Sequence, residues 1–182
     1  MLPIHSSDAT ALSVGLLVTR VILGLAIAAH GAQKLFGWFG GHGLAATASS
    51  FEGLGFRPGG LFAAAASVAE FGGGLLTALG LFHPIGPAII VAVMLVAMLS
   101  VHWGRGFFAA SGGIELALLY LAPAIVLGVT GPGLLSLDAL LGLTGLDNPR
   151  AGGIALVIGV IAAGAAMAMR RVSLARPAAA QR

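Results

Sequence analysis

Hydrophobic positions fall in five long runs separated by short polar or glycine-rich breaks. The runs cover about residues 11–32, 61–82, 85–103, 112–129 and 152–169. Each approaches the ~20 apolar residues that a membrane-spanning helix needs. The breaks hold residues that end helices. Residues 33–43 form a loop rich in Gly and aromatics, and Arg57, Pro58, Gly59 and Gly60 precede the second run. His83-Pro84 makes a tight turn, and Gly104-Arg105-Gly106 opens the loop after the third run. Thr130-Gly131-Pro132-Gly133 ends the fourth, because Pro and Gly do not continue a helix. Asn148-Pro149-Arg150 turns into the fifth, which Arg170 and Arg171 stop. Two shorter stretches remain. Residues 44–53 place Leu44, Ala48 and Phe51 at helical spacing and predict a short helix on the membrane surface. Residues 134–146 are too short to span and predict an interfacial or re-entrant helix.

Composition excludes the other classes. Of 182 residues, 58% are hydrophobic and only 8% are charged, where a soluble domain carries ~25% charged residues. Mean hydropathy is +1.04, which also rules out a disordered chain. The 29 glycines show no Gly-X-Y period, so the chain is not collagen-like. The fold class is therefore all-α: a polytopic membrane protein with five transmembrane helices. It forms one membrane domain over 1–182, with the last span at 152–169 and a basic tail at 170–182. The N-terminus lacks the basic region of a secretory signal, so the first run is read as a retained span.

Charge sets an orientation. A sequence pI near 10.7 would suggest nucleic acid in a soluble protein. Here the net charge is only +3, and four of the nine cations lie in the last thirteen residues, so no nucleic-acid partner is expected. Placing the C-tail inside puts Lys34, Arg57, Arg105, Arg170, Arg171, Arg176 and Arg182 on the cytoplasmic side and only Arg150 outside. The N-terminus is then outside. The absence of cysteine removes disulfides, thiolate metal sites and any cysteine relay. Redox chemistry here requires a bound cofactor or a partner protein.

The few buried charges mark candidate chemistry. Arg20 and Glu70 fall well inside the first and second spans, where a lone charge costs ~2.5–3.5 kcal/mol. Their opposite signs on consecutive antiparallel helices predict a pair, either pinning the helices or lining a buried polar site. His30 and Lys34 share a helix face at the inner end of the first span, with His102 and Glu115 at the inner ends of the third and fourth. These four are candidates for binding a ligand head group. No spacing among His and carboxylates supports a metal site. Seven of the nine phenylalanines and both tryptophans fall toward the same side. An ordinary aromatic belt occupies both interfaces. Trp38, Phe39 and Trp103 therefore predict either a dipping aromatic lid or the entrance for a flat apolar head group such as a quinone. No phosphate-binding Gly-x-x-x-x-Gly-Lys pattern and no Gly-x-Ser-x-Gly elbow is present.

Arg20-x-x-x-Gly24, His30-Gly31-x-x-Lys34-Leu35-Phe36-Gly37, Glu70-Phe71-Gly72-Gly73 and Gly131-Pro132-Gly133 leading to Ser136-Leu137-Asp138 together resemble the DoxX family. The family comprises small bacterial membrane proteins. The resemblance covers about residues 12–142. It implies a plasma-membrane protein with a four-helix bundle core over 12–142 plus a fifth C-terminal transmembrane helix, the extra span at 152–169, and pattern matches at Arg20, His30, Lys34, Glu70 and Asp138. Related proteins include a subunit associated with thiosulfate:quinone oxidation and membrane partners of thiol and oxidative-stress systems. The favoured expectation is thus a membrane component of a redox system handling quinone or a similar lipid-soluble carrier. The alternatives are a non-enzymatic scaffold for a soluble or membrane redox partner, and a small-molecule transporter. Whether the chain is itself an enzyme, and whether it forms oligomers, stays open.

Overall fold

The computed structural model describes residues 6–175, all of whose regular elements are helical. Arg176 and Arg182 of the expected basic tail lie outside the described residues, as do residues 1–5. The first apolar run forms α1 (Ser6–Phe36), and the surface helix follows as α2 (Gly43–Gly53). The second run is α3 (Gly59–Leu79) and the third begins as α4 (Ile85–Ala97). The fourth is α5 (Glu115–Thr130), the short segment gives α6 (Leu137–Leu141), and the fifth is α7 (Pro149–Ala175). Four helices are long and apolar enough to cross a membrane: α1, α3, α4 with its extension to Arg105, and α7. The protein is a multi-pass membrane protein. At 16 residues, α5 extends only ~24 Å, short of the ~30 Å hydrocarbon core.

α1, α3, α4 and α5 close a four-helix ring, and α7 packs along α4 and α5. Leu23, Ile27, Ile90, Val91, Met94, Leu121 and Leu127 form the centre of the core. Small residues set the helix spacing, as expected where lipid is as apolar as the side chains. On the α1–α3 seam Gly24 faces Ala78, Ala28 faces Gly74, and Gly31 faces Phe71. A single antiparallel register satisfies all three pairs. α7 is seated the same way, with Gly159 against the Ala88 backbone and Gly152 against Gly128. Gly164, by contrast, would carry a Cβ with nothing within 4 Å of it, and faces away from the bundle.

Three expectations change. Residues 134–146 hold only the five-residue α6 and a 3-10 turn at Thr144–Leu146. Arg170 and Arg171 do not stop the last helix, which runs on to Ala175. Arginine is a good helix former, so it ends the apolar run without ending the helix. Arg170 instead turns inward: its Nε donates to the Leu54 carbonyl at 2.7 Å, and its guanidinium lies 5.9 Å from the Phe56 ring centroid. Finally, the third run does not stay α-helical. Met98–His102 forms a π-helical turn, followed by a 3-10 turn at Trp103–Arg105.

Candidate functional site

The α1–α3 register decides which buried charges meet. It places Arg20 beside the last turn of α3 and Lys34 beside the turn that holds Glu70. Arg20 and Glu70 therefore do not form the expected pair. They sit about eight residues apart along α3, or ~12 Å. Lys34 Nζ binds Glu70 Oε1 instead. Glu70 is buried, and its Oε2 has no hydrogen-bond partner. Arg20 is also buried, with Nη1 donating to the Ala78 carbonyl at 2.5 Å and Nη2 to that of Leu135. The carbonyls of a final helical turn lack intrahelical partners and carry the negative end of the dipole. Arg20 thus clamps the end of α3 to the segment before α6.

A cleft of about 490 Å³ lies on the Glu70 side of the bundle. α3 and α7 both pack on α4 but hardly touch each other, so α4 forms the floor and the other two form walls. The α3 wall is Phe62, Ala65, Ala66, Ala69 and Glu70, one face at helical spacing. The α7 wall is Ala162, Ala163 and Ala166, and Phe51, Leu54 and Phe56 cover one end. Alanine on both walls is what leaves the space open. Lys34 reaches the cleft beside Glu70. On the floor, Val93, Val96, Ala97, Ser100 and Val101 would share one face of an unbroken α-helix. His102 would then turn away. The wider π turn under-winds the chain and brings His102 onto the lining as well. A mostly apolar cavity of this size with a few convergent polar groups has the character of a small-ligand site.

The other expected site residues are elsewhere. His30 is exposed on α1, with Nδ1 3.2 Å from Gln33 Oε1 and its ring edge-on to Tyr120. It does not line the cleft. Glu115 Oε2 accepts the Ala109 amide at 2.7 Å and so holds the loop before α5. Trp38, Phe39 and Trp103 stand largely exposed and do not cover the cleft. The aromatic cover comes from Phe51, Phe56 and Phe62. Aromatic content alone does not separate these two sets, although the alanine stripe at 65, 66 and 69 beside Phe62 is a usable signal.

Asp138 organises the opposite end of the bundle. It is fully buried, and its two oxygens accept the Phe82 and His83 amides at 2.8 and 2.7 Å. These bonds hold the α3–α4 turn, where Phe82 has a φ of 51°. His83, not foreseen as a site residue, is buried with Nε2 3.1 Å from the Leu127 carbonyl. Its Nδ1 lies 3.3 Å from Asp147 Oδ1, within ion-pair distance but without hydrogen-bond alignment. Burial pushes the Asp147 carboxyl above the usual carboxylate range, opposed by His83 and reinforced by the Asp138 charge. This network ties loops together. Among the described residues no group of three His, Asp or Glu side chains could hold a metal.

Residues 15–103 match the model of the DoxX family. The matched stretch runs from within α1 through the π turn, and so contains Arg20, His30, Lys34, Glu70 and His102. It stops before α5, leaving Glu115, Asp138 and the whole of α7 beyond it. Comparison with curated proteins gives no match, and comparison with solved structures gives none either.

Proposed function

The chain belongs to the DoxX family through residues 15–103, and from that premise we propose that it is a plasma-membrane component of a redox system. It holds a quinone or a similar lipid-soluble electron carrier in the cleft between α3, α4 and α7. The observation that carries this reading is the pairing of an alanine-walled apolar cavity with Lys34, Glu70 and His102 on its lining. An isoprenoid or alkyl chain suits the alanine and valine surfaces, and a flat ring suits the phenylalanine cover. The Lys34 ammonium has donors beyond the one spent on Glu70 and can reach a ligand oxygen in either redox state. Orientation follows the positive-inside rule. Lys34, Arg57, Arg105, Arg170 and Arg171 belong to the cleft end of the bundle and Arg150 to the other, so the cleft end faces the cytoplasm.

The test is equilibrium dialysis of the purified full chain against a short-chain benzoquinone, in oxidised and reduced forms. The wild type is expected to bind at least one form. Lys34→Gln should weaken that binding about tenfold, the worth of one good charged hydrogen bond. His30→Ala should leave it unchanged. Absence of binding to the wild type in both forms overturns the proposal.

A further inference from the structure

The hydrogen-bonding groups on the cleft are unequal in kind. A backbone carbonyl only accepts, so the 2.6 Å contact between His102 Nδ1 and the Gly112 carbonyl fixes the proton on Nδ1. In the neutral ring Nε2 then carries a lone pair, and among the described residues it makes no hydrogen bond. Ser100, on the same lining, spends its hydroxyl proton on the Val96 carbonyl at 2.6 Å, leaving its oxygen as an acceptor. Neither oxygen of Glu70 is free for a ligand: Oε1 is taken by Lys34, and Oε2 is sealed off from the open space of the cleft. Two acceptors, Ser100 Oγ and His102 Nε2, therefore share the lining with one donor, the Lys34 ammonium.

A ligand that only accepts hydrogen bonds can be satisfied by Lys34 alone. It would take the free lone pairs of Ser100 Oγ and His102 Nε2 out of water with nothing to donate to them, which weakens binding. A ligand with hydroxyl groups can accept from Lys34 and donate to the others. We infer that the cleft selects a hydroxyl-bearing aromatic head group, so that of a quinone couple it takes the reduced dihydroxy form. The inference rests on the reading above that a quinone-type carrier enters the cleft, and adds which redox form it holds. The π turn has a role in this choice, because it brings His102 to the lining with its acceptor nitrogen unspent.

The test compares three ligands on the purified full chain under anaerobic conditions: a short-chain 1,4-benzoquinone, its hydroquinone, and the dimethyl ether of that hydroquinone. The ether keeps the ring and the oxygens but cannot donate. The hydroquinone is expected to bind about tenfold more tightly than the quinone or the ether. In His102→Phe, which keeps an aromatic ring without the acceptor, that preference should fall severalfold. Quinone or ether binding as tight as hydroquinone overturns the inference and leaves the carrier reading standing. Absence of binding by all three overturns both. The wild-type comparison decides the point even where the variant fails to fold.

Discussion

Gly31→Ala is expected to destabilise the protein by about 3 kcal/mol, although alanine is the better helix former by ~1 kcal/mol. A Cβ at position 31 would meet the backbone nitrogen and Cα of Phe71. Backbone cannot swing aside as the end of a flexible side chain can. The two helices must separate, and the same displacement opens the Gly24–Ala78 and Ala28–Gly74 contacts and draws Lys34 away from Glu70. A buried carboxylate losing its partner adds to the cost. Gly164→Ala is the control: it sits mid-helix with nothing within 4 Å and gains only propensity, so it should match or slightly exceed the wild type. Unfolding of purified protein by titration with denaturing detergent measures both. A Gly31→Ala variant as stable as the wild type would show that the α1–α3 seam is looser than described.

The second large effect concerns space. Ala66→Phe on the α3 wall and Ala166→Phe on the α7 wall each place a ring in the cleft from opposite sides. Both residues are only partly buried, so the new ring extends into open volume without displacing packed neighbours. Stability should change by no more than ~1 kcal/mol. Ligand affinity should fall about hundredfold, or ~2.7 kcal/mol, because the head group and the ring compete for the same place. Dialysis against the benzoquinone couple, with a thermal melt to confirm folding, reads the two effects separately. Folded variants that retain full affinity would put the ligand elsewhere.

Much of the architecture is legible in the sequence because lipid imposes a simple rule: spans need length and apolarity. That rule locates α1, α3, α4 and α7, and helical spacing at Leu44, Ala48 and Phe51 locates α2. The rule says nothing of register. Apolarity alone does not fix how far α1 slides along α3, whereas the close approaches at Gly24, Gly31 and Gly74 do. Arg20 and Glu70 therefore look like partners when counted from helix ends, yet the register gives Glu70 to Lys34. The π turn is illegible for a related reason. Met98–His102 has nothing in its composition to distinguish it from an α-helix, yet its winding decides whether His102 lines the cleft. His30 and His102 read alike in the chain. One ends exposed beside Gln33, the other on the cavity floor. The aromatic bias toward one side is plain in the chain, but Trp38, Phe39 and Trp103 take the exposed positions while Phe51, Phe56 and Phe62 take the lining.

Photoaffinity labelling in native membranes reads out where on the bundle the carrier sits. The probe is a benzoquinone carrying a photoreactive group on its ring, with labelled peptides located by mass spectrometry. Label is expected on α3 around residues 62–70, on α4 and its π turn around 92–102, and on α7 around 162–166, in each case displaced by excess unmodified ligand. Displaceable label confined to the Arg20 end, at residues 134–140, or no displaceable label at all, would contradict a carrier site in this cleft.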